Sequence, residues 1–139
     1  MMLAILLGLP LAACAHDCAP RVADGWIRLM PGGMPMQAGF GRIDNHCPAP
    51  VAIVSASSPA YGSVELHEST LVDGINRMRA VPELRIAADG AAVLQPGGLH
   101  LMLMRPKATL QPGERVGIVF KLADGREVTG EFEARKPAP

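Results

Sequence analysis

From Val22 onward, apolar and polar positions alternate with a period of two in short runs separated by Gly and Pro. The runs predict strands at Val22 to Leu29, Met36 to Asn45, Val51 to Ser57, Val64 to Val72 and Ile75 to Val81. Further strands are expected at Ala91 to Leu94, Leu99 to Met104, Arg115 to Leu122 and Glu127 to Ala134. Met30-Pro31-Gly32-Gly33, Gln95-Pro96-Gly97-Gly98 and Gln111-Pro112-Gly113-Glu114 read as turns. Asp73-Gly74 sits between two alternating arms, the strongest hairpin signal in the chain. A two-residue turn there pairs Val72 with Ile75, sets Ser69 opposite Met78 and sets His67 opposite Ala80. No segment sustains a 3.6-residue period and no internal repeat stands out. The pattern is that of one all-β domain, a sandwich or barrel, over residues 22–134, with 14–21 as a linker and 135–139 as a frayed tail.

The run Leu99-His100-Leu101-Met102-Leu103-Met104 alternates without a break. Leu99, Leu101 and Leu103 face the core, which leaves His100, Met102 and Met104 on the other face. A solvent face normally carries Thr, Lys or Glu, whereas this one carries an imidazole and two thioethers. On the Asp73-Gly74 hairpin, Met78 is a diagonal neighbour of His67 on one face, within reach of a long side chain. If the hairpin lies beside the strand, His67, Met78, His100 and Met102 converge. Neutral imidazole and thioether donors without thiolate or carboxylate suit Cu(I) far better than Zn(II), Mg(II) or Ca(II). Singly, each of these residues reads as packing or an idle surface group; their shared face carries the metal reading.

The composition narrows the class. The chain has 139 residues, with 13 Lys+Arg against 13 Asp+Glu, so it lacks the basic stripe of a nucleic-acid binder. Aromatic residues make up only 4%, so aliphatic side chains must build the core, yet there are eight Met. Met1 to Ala13 is apolar and spans about 20 Å as a helix, short of the roughly 30 Å of a bilayer core. It has the length of a secretory signal, residues 1–13, although no Lys or Arg precedes it. Leu11-Ala12-Ala13-Cys14 resembles the lipobox of bacterial lipoproteins, which makes Cys14 the expected lipidation site. Cleavage after Ala13 or Ala15 to a soluble periplasmic protein is the rival reading. With Cys14 lipidated, Cys18 and Cys47 remain as a pair in an oxidising compartment. They are expected to form a disulfide that ties the N-terminal segment to the second strand; free thiols, or one of them as a metal ligand, are the rival readings.

The spacing of His67, Met78, His100 and Met102 is H-x10-M-x21-H-x-M. This resembles the signature of the periplasmic copper chaperones called PCu(A)C. Val64-Glu65-Leu66-His67-Glu68, Asp73-Gly74, Arg77-Met78-Arg79 and Gln95-Pro96-Gly97-Gly98 resemble the same family, over roughly Val22 to Glu133. The resemblance implies a cupredoxin-like Greek-key β-sandwich that binds one Cu(I) through two His and two Met. It also implies delivery to the copper A site of a cytochrome c oxidase subunit, in concert with Sco-type copper proteins. The chain lacks the His/Met-rich C-terminal tail that gives some members a Cu(II) site.

Met34 and Met36 near the first turn could be auxiliary Cu(I) contacts or a soft docking surface, though turn and edge packing suffices to explain them. Met104 is a lid or spare thioether, while His46 and His16 have no partner at metal spacing. No nucleophile–base pair, carboxylate dyad or phosphate loop is present, so the expectation is a monomeric carrier in the bacterial envelope and not an enzyme. It would meet the membrane only through its lipid. The rival functions are copper scavenging for tolerance and a metal-free lipoprotein that works by protein contact.

Overall fold

The computed structural model describes residues 18–138; the expected signal segment, Cys14 and His16 lie outside them. Ten strands follow in order: β1 (Arg21–Arg28), β2 (Met36–Asn45), β3 (Val51–Ser57), β4 (Tyr61–Val72), β5 (Ile75–Ala80), β6 (Leu84–Ile86), β7 (Gly90–Leu94), β8 (Leu99–Pro106), β9 (Arg115–Leu122) and β10 (Glu127–Arg135). Among the described residues no helix is long and apolar enough to cross a membrane.

The strands form one sheet that closes on itself. Its order runs β4-β8-β2-β1-β10-β9-β3, and β3 returns to β4 through the Ala56–Val64 pair. The expected sandwich is therefore a seven-stranded closed sheet, with β5 on the free edge of β4, β6 on β3 and β7 on β2. Closure removes the sheet edges except along these short flanking strands. All contacts are antiparallel except β1 with β10, which is parallel.

Alternation decides what fills the interior. Val116, Ile118, Phe120 and Leu122 of β9 point inward, as do Leu101 and Leu103 of β8, which are fully buried. Leu99 is only partly covered at the end of the strand. Ile27, Ile43, Ile53, Leu66 and Phe132 complete the centre of the core.

Three departures from the sequence pattern have local causes. β6 has three residues, beginning two after Pro82, too short to show a period, and it is held by pairing with β3 from Val51–Ile86 to Ile53–Leu84. In β1 the register slips between Ala23 and Trp26, where Asp24 adopts a positive φ of 55°. This bulge adds one residue, so Val22 and Ile27 both pack on the core although they are five apart, and Trp26 turns to the outer face. Arg135 is not frayed: it is paired with Arg28 in β10, and its carbonyl accepts from the Leu29 N–H at 2.8 Å.

At the far end of β2, Cys18 and Cys47 form a disulfide with Cα atoms 5.7 Å apart. Beside it Asn45 is wholly buried and its polar groups are satisfied. Its Nδ2 donates to the carbonyls of Ala49 and Ala87, both at 3.0 Å, and its Oδ1 accepts from the Cys47 N–H at 3.2 Å.

Candidate metal centre

The Asp73-Gly74 turn has both residues at positive φ, 51° and 77°, the conformation that a two-residue hairpin of this hand requires. It fixes the expected register: Val72 opposite Ile75, Ser69 opposite Met78 and His67 opposite Ala80. The tertiary pairing, which the local sequence leaves open, is β4 with β8. His67 lies directly opposite His100, and Glu65 directly opposite Met102. The hairpin thus does lie beside the strand, and His67, His100 and Met102 share one outer face with Met78 at its edge.

The two imidazoles have ring centroids 6.2 Å apart. Two rings that ligate one ion through bonds of about 2 Å would sit about 5–6.5 Å apart, so the spacing fits a shared ion. Each ring has one nitrogen committed as a donor. His100 Nδ1–H donates to the Gly98 carbonyl at 2.8 Å, which leaves Nε2 with its lone pair. His67 Nε2–H donates to the Glu65 carboxylate at 2.8 Å, which leaves Nδ1 free. That Nδ1 is buried and has no hydrogen-bond partner, the one such side-chain polar atom among the described residues. A buried acceptor without a donor is costly unless something else satisfies it.

Burial grades across the face. His100 is only 4% exposed. It lies against Phe40, at 6.5 Å between centroids, and Phe40 stacks on Trp26 at 4.7 Å. The Arg28 guanidinium covers Phe40, 4.8 Å from its ring centre. At the other side Met78 is 54% exposed on β5, an edge strand with every residue exposed. The donors therefore run from a sheltered imidazole to an accessible thioether.

Trp26, Phe40 and Glu65 belong to this face, and sequence reasoning did not single them out. Glu65 could have been found from its position two residues before His67 on a strand. Phe40 needed the non-local β2–β8 register, whereas Trp26 needed the bulge, whose local signal is Asp24-Gly25. The auxiliary methionines divide. Met36 lies directly opposite Met104 on the face of Met102, whereas Met34 lines a groove with Met30, Gln37, Pro106 and Leu110. His46 is exposed. Among the described residues no three His, Cys, Asp or Glu side chains gather as a metal cage, so soft-ion binding here must recruit thioethers.

A closed all-β sheet of this kind is shared with solved PCuAC domains. The copper-bound PCuAC domain from PmoF2 superposes with a TM-score of 0.69 over 85% of this chain and 93% of that one, at 16% identity. Apo-DR1885 from Deinococcus radiodurans is 29% identical, with a TM-score of 0.67 over 99% of this chain and 92% of that one. Its Cu(I) form is 30% identical, with a TM-score of 0.67 over 88% of this chain and 83% of that one. Over residues 21–134 the chain matches, and belongs to, the family described as "Putative lipoprotein LpqE-like", and the PCu(A)C resemblance of its sequence holds. A relative from Leifsonia xyli subsp. xyli, "Putative lipoprotein Lxx21020", is 34% identical over 106 residues, 76% of this chain. The chain spans 63% of that relative's length.

Proposed function

We propose that this chain is an extracytoplasmic Cu(I) carrier that binds one ion through His67, Met78, His100 and Met102 and passes it on. The observation that carries the reading is the opposed pair His67–His100, each ring with a lone pair free, on the face that holds Met102. Two imidazoles and two thioethers are soft or borderline neutral donors that favour Cu(I) over harder ions. The solved Cu(I) form of a structural neighbour at 30% identity supports the same cargo. A buried His100 and an exposed Met78 suit transfer, since a partner's ligand can replace the outer thioether before the inner imidazole lets go.

The acceptor in this proposal is the copper A site of cytochrome c oxidase, reached with Sco-type proteins, as the family resemblance implies. The chain acts as a carrier and not as an enzyme, and Cys14 holds it in the envelope by a lipid, in keeping with the lipoprotein names of its relatives. The test is deletion in the parent bacterium. Delivery expects oxidase activity to fall under copper limitation and to return with added copper. Unchanged oxidase activity with sensitivity to excess copper would replace delivery by scavenging.

A further inference from the structure

We propose that Met36 and Met104 form a second, weaker site for a soft monovalent cation, Cu(I) or its closed-shell analogue Ag(I), one step from the first. β2 and β8 pair antiparallel with Met36 opposite Met104 and Ala38 opposite Met102. Residues directly opposite one another hold their Cβ atoms about 4.5–5.5 Å apart, close enough for two thioether sulfurs to bracket one ion. The neighbours leave room: Ser63 flanks Met104 on β4, and Ala38 is the next same-face residue after Met36.

Neither thioether is needed by the core. Leu101 and Leu103 are fully buried on the inner face of β8, while Met36 is 37% exposed and Met104 is partly exposed on the outer face. A solvent-facing pair of polarizable sulfurs offers nothing to Ca(II), Mg(II) or Zn(II) and suits a soft d10 ion. Two donors hold such an ion less firmly than four. Met104 is two residues from Met102, about 7 Å along the strand, so an ion held at the pair can pass to Met102 and His100 without returning to bulk water. The Glu65 carboxylate, opposite Met102 and two residues from Ser63, adds a favourable field on the path.

The inference takes its physiological cargo from the copper reading but stands on its own geometry. The test is a silver titration of the full chain carrying Cys14→Ser, which removes the competing thiol, with its methionine methyl groups labelled with carbon-13 for NMR. The first equivalent should shift the Met78 and Met102 methyls. The second should shift those of Met36 and Met104, with at least about tenfold weaker affinity. The near-isosteric double variant Met36→Leu/Met104→Leu should lose the second step and keep the first. Met36 and Met104 methyls that stay still throughout the titration, or a second step that survives in the double variant, would overturn the proposal. Shifts at Met36 and Met104 without any at Met78 and Met102 would uphold it and reject the four-ligand centre instead.

Discussion

His67 and His100 face one another across β4 and β8, directly paired and 6.2 Å apart between ring centres. Each ring is held by a hydrogen bond from the nitrogen that leaves its other nitrogen free: His100 to the Gly98 carbonyl and His67 to the Glu65 carboxylate. Backbone fixes one ring and a neighbouring side chain fixes the other, so the second is the one that a substitution can loosen.

Glu65→Ala should therefore weaken Cu(I) binding by about 10–100-fold, the usual effect of removing a hydrogen-bond partner of a ligating His. Glu65→Gln keeps an acceptor at the same reach and should recover most of the loss. A competition titration against a Cu(I) chelator reads both. Equal affinity in Glu65→Ala and the parent protein would show that the carboxylate does not position His67.

The disulfide should matter for stability and not for metal. Cys18 and Cys47 are 29 residues apart, and closing a loop of that order stabilises by about 3–4 kcal/mol in the chain-entropy model. Urea unfolding of the oxidised and reduced protein should differ by about 2–4 kcal/mol. The pair lies beyond Asn45 on β2, whereas the two histidines lie beside the Met36–Phe40 half of the strand. Copper affinity of the folded reduced protein should therefore match that of the oxidised one, and a large gain on reduction would point to a thiolate site.

Alkaline stability should be set partly by Tyr61. Its ring is buried, its hydroxyl donates to the Gln37 side chain, and burial pushes the phenol up to about 12. The folded protein then keeps a proton that the unfolded chain releases near pH 10, so the Tyr61 contribution is full below about pH 10 and is lost between about pH 10 and 12. Partial solvent screening reduces the loss to about 1–2 kcal/mol. Tyr61→Phe should be less stable at pH 8, where its hydrogen bond is missing, but should lack this alkaline slope in pH-dependent unfolding. A slope of the same size in the variant would assign it to other groups.

The sequence carried the local facts well. The Asp73-Gly74 turn dictates the hairpin register by its own backbone conformation, and the Leu99–Met104 alternation separates core leucines from outer donors. Non-local facts were harder to read. The bulge that turns Trp26 outward has a local sign in Asp24-Gly25, but its register against β2 has none, and nothing near Asn45 shows that Ala49 and Ala87 will need its amide. The opposed histidines depend on β4 meeting β8, a pairing between segments some thirty residues apart that turn chemistry does not fix. Their spacing with Met78 and Met102 stood in for it only through its resemblance to a known signature.

The central claim is the donor set, and X-ray absorption on the protein loaded with no more than one equivalent of Cu(I) tests it most directly. The spectrum should fit two nitrogen and two sulfur scatterers, and Met78→Ala and Met102→Ala should each remove one sulfur. Each variant should also weaken binding by roughly tenfold or more, on the order of 1.4 kcal/mol per thioether. Met78 is largely exposed, so its variant should otherwise stay within about 0.5 kcal/mol of the parent in stability. A spectrum without sulfur scatterers, or full affinity in both variants, would contradict the four-ligand centre.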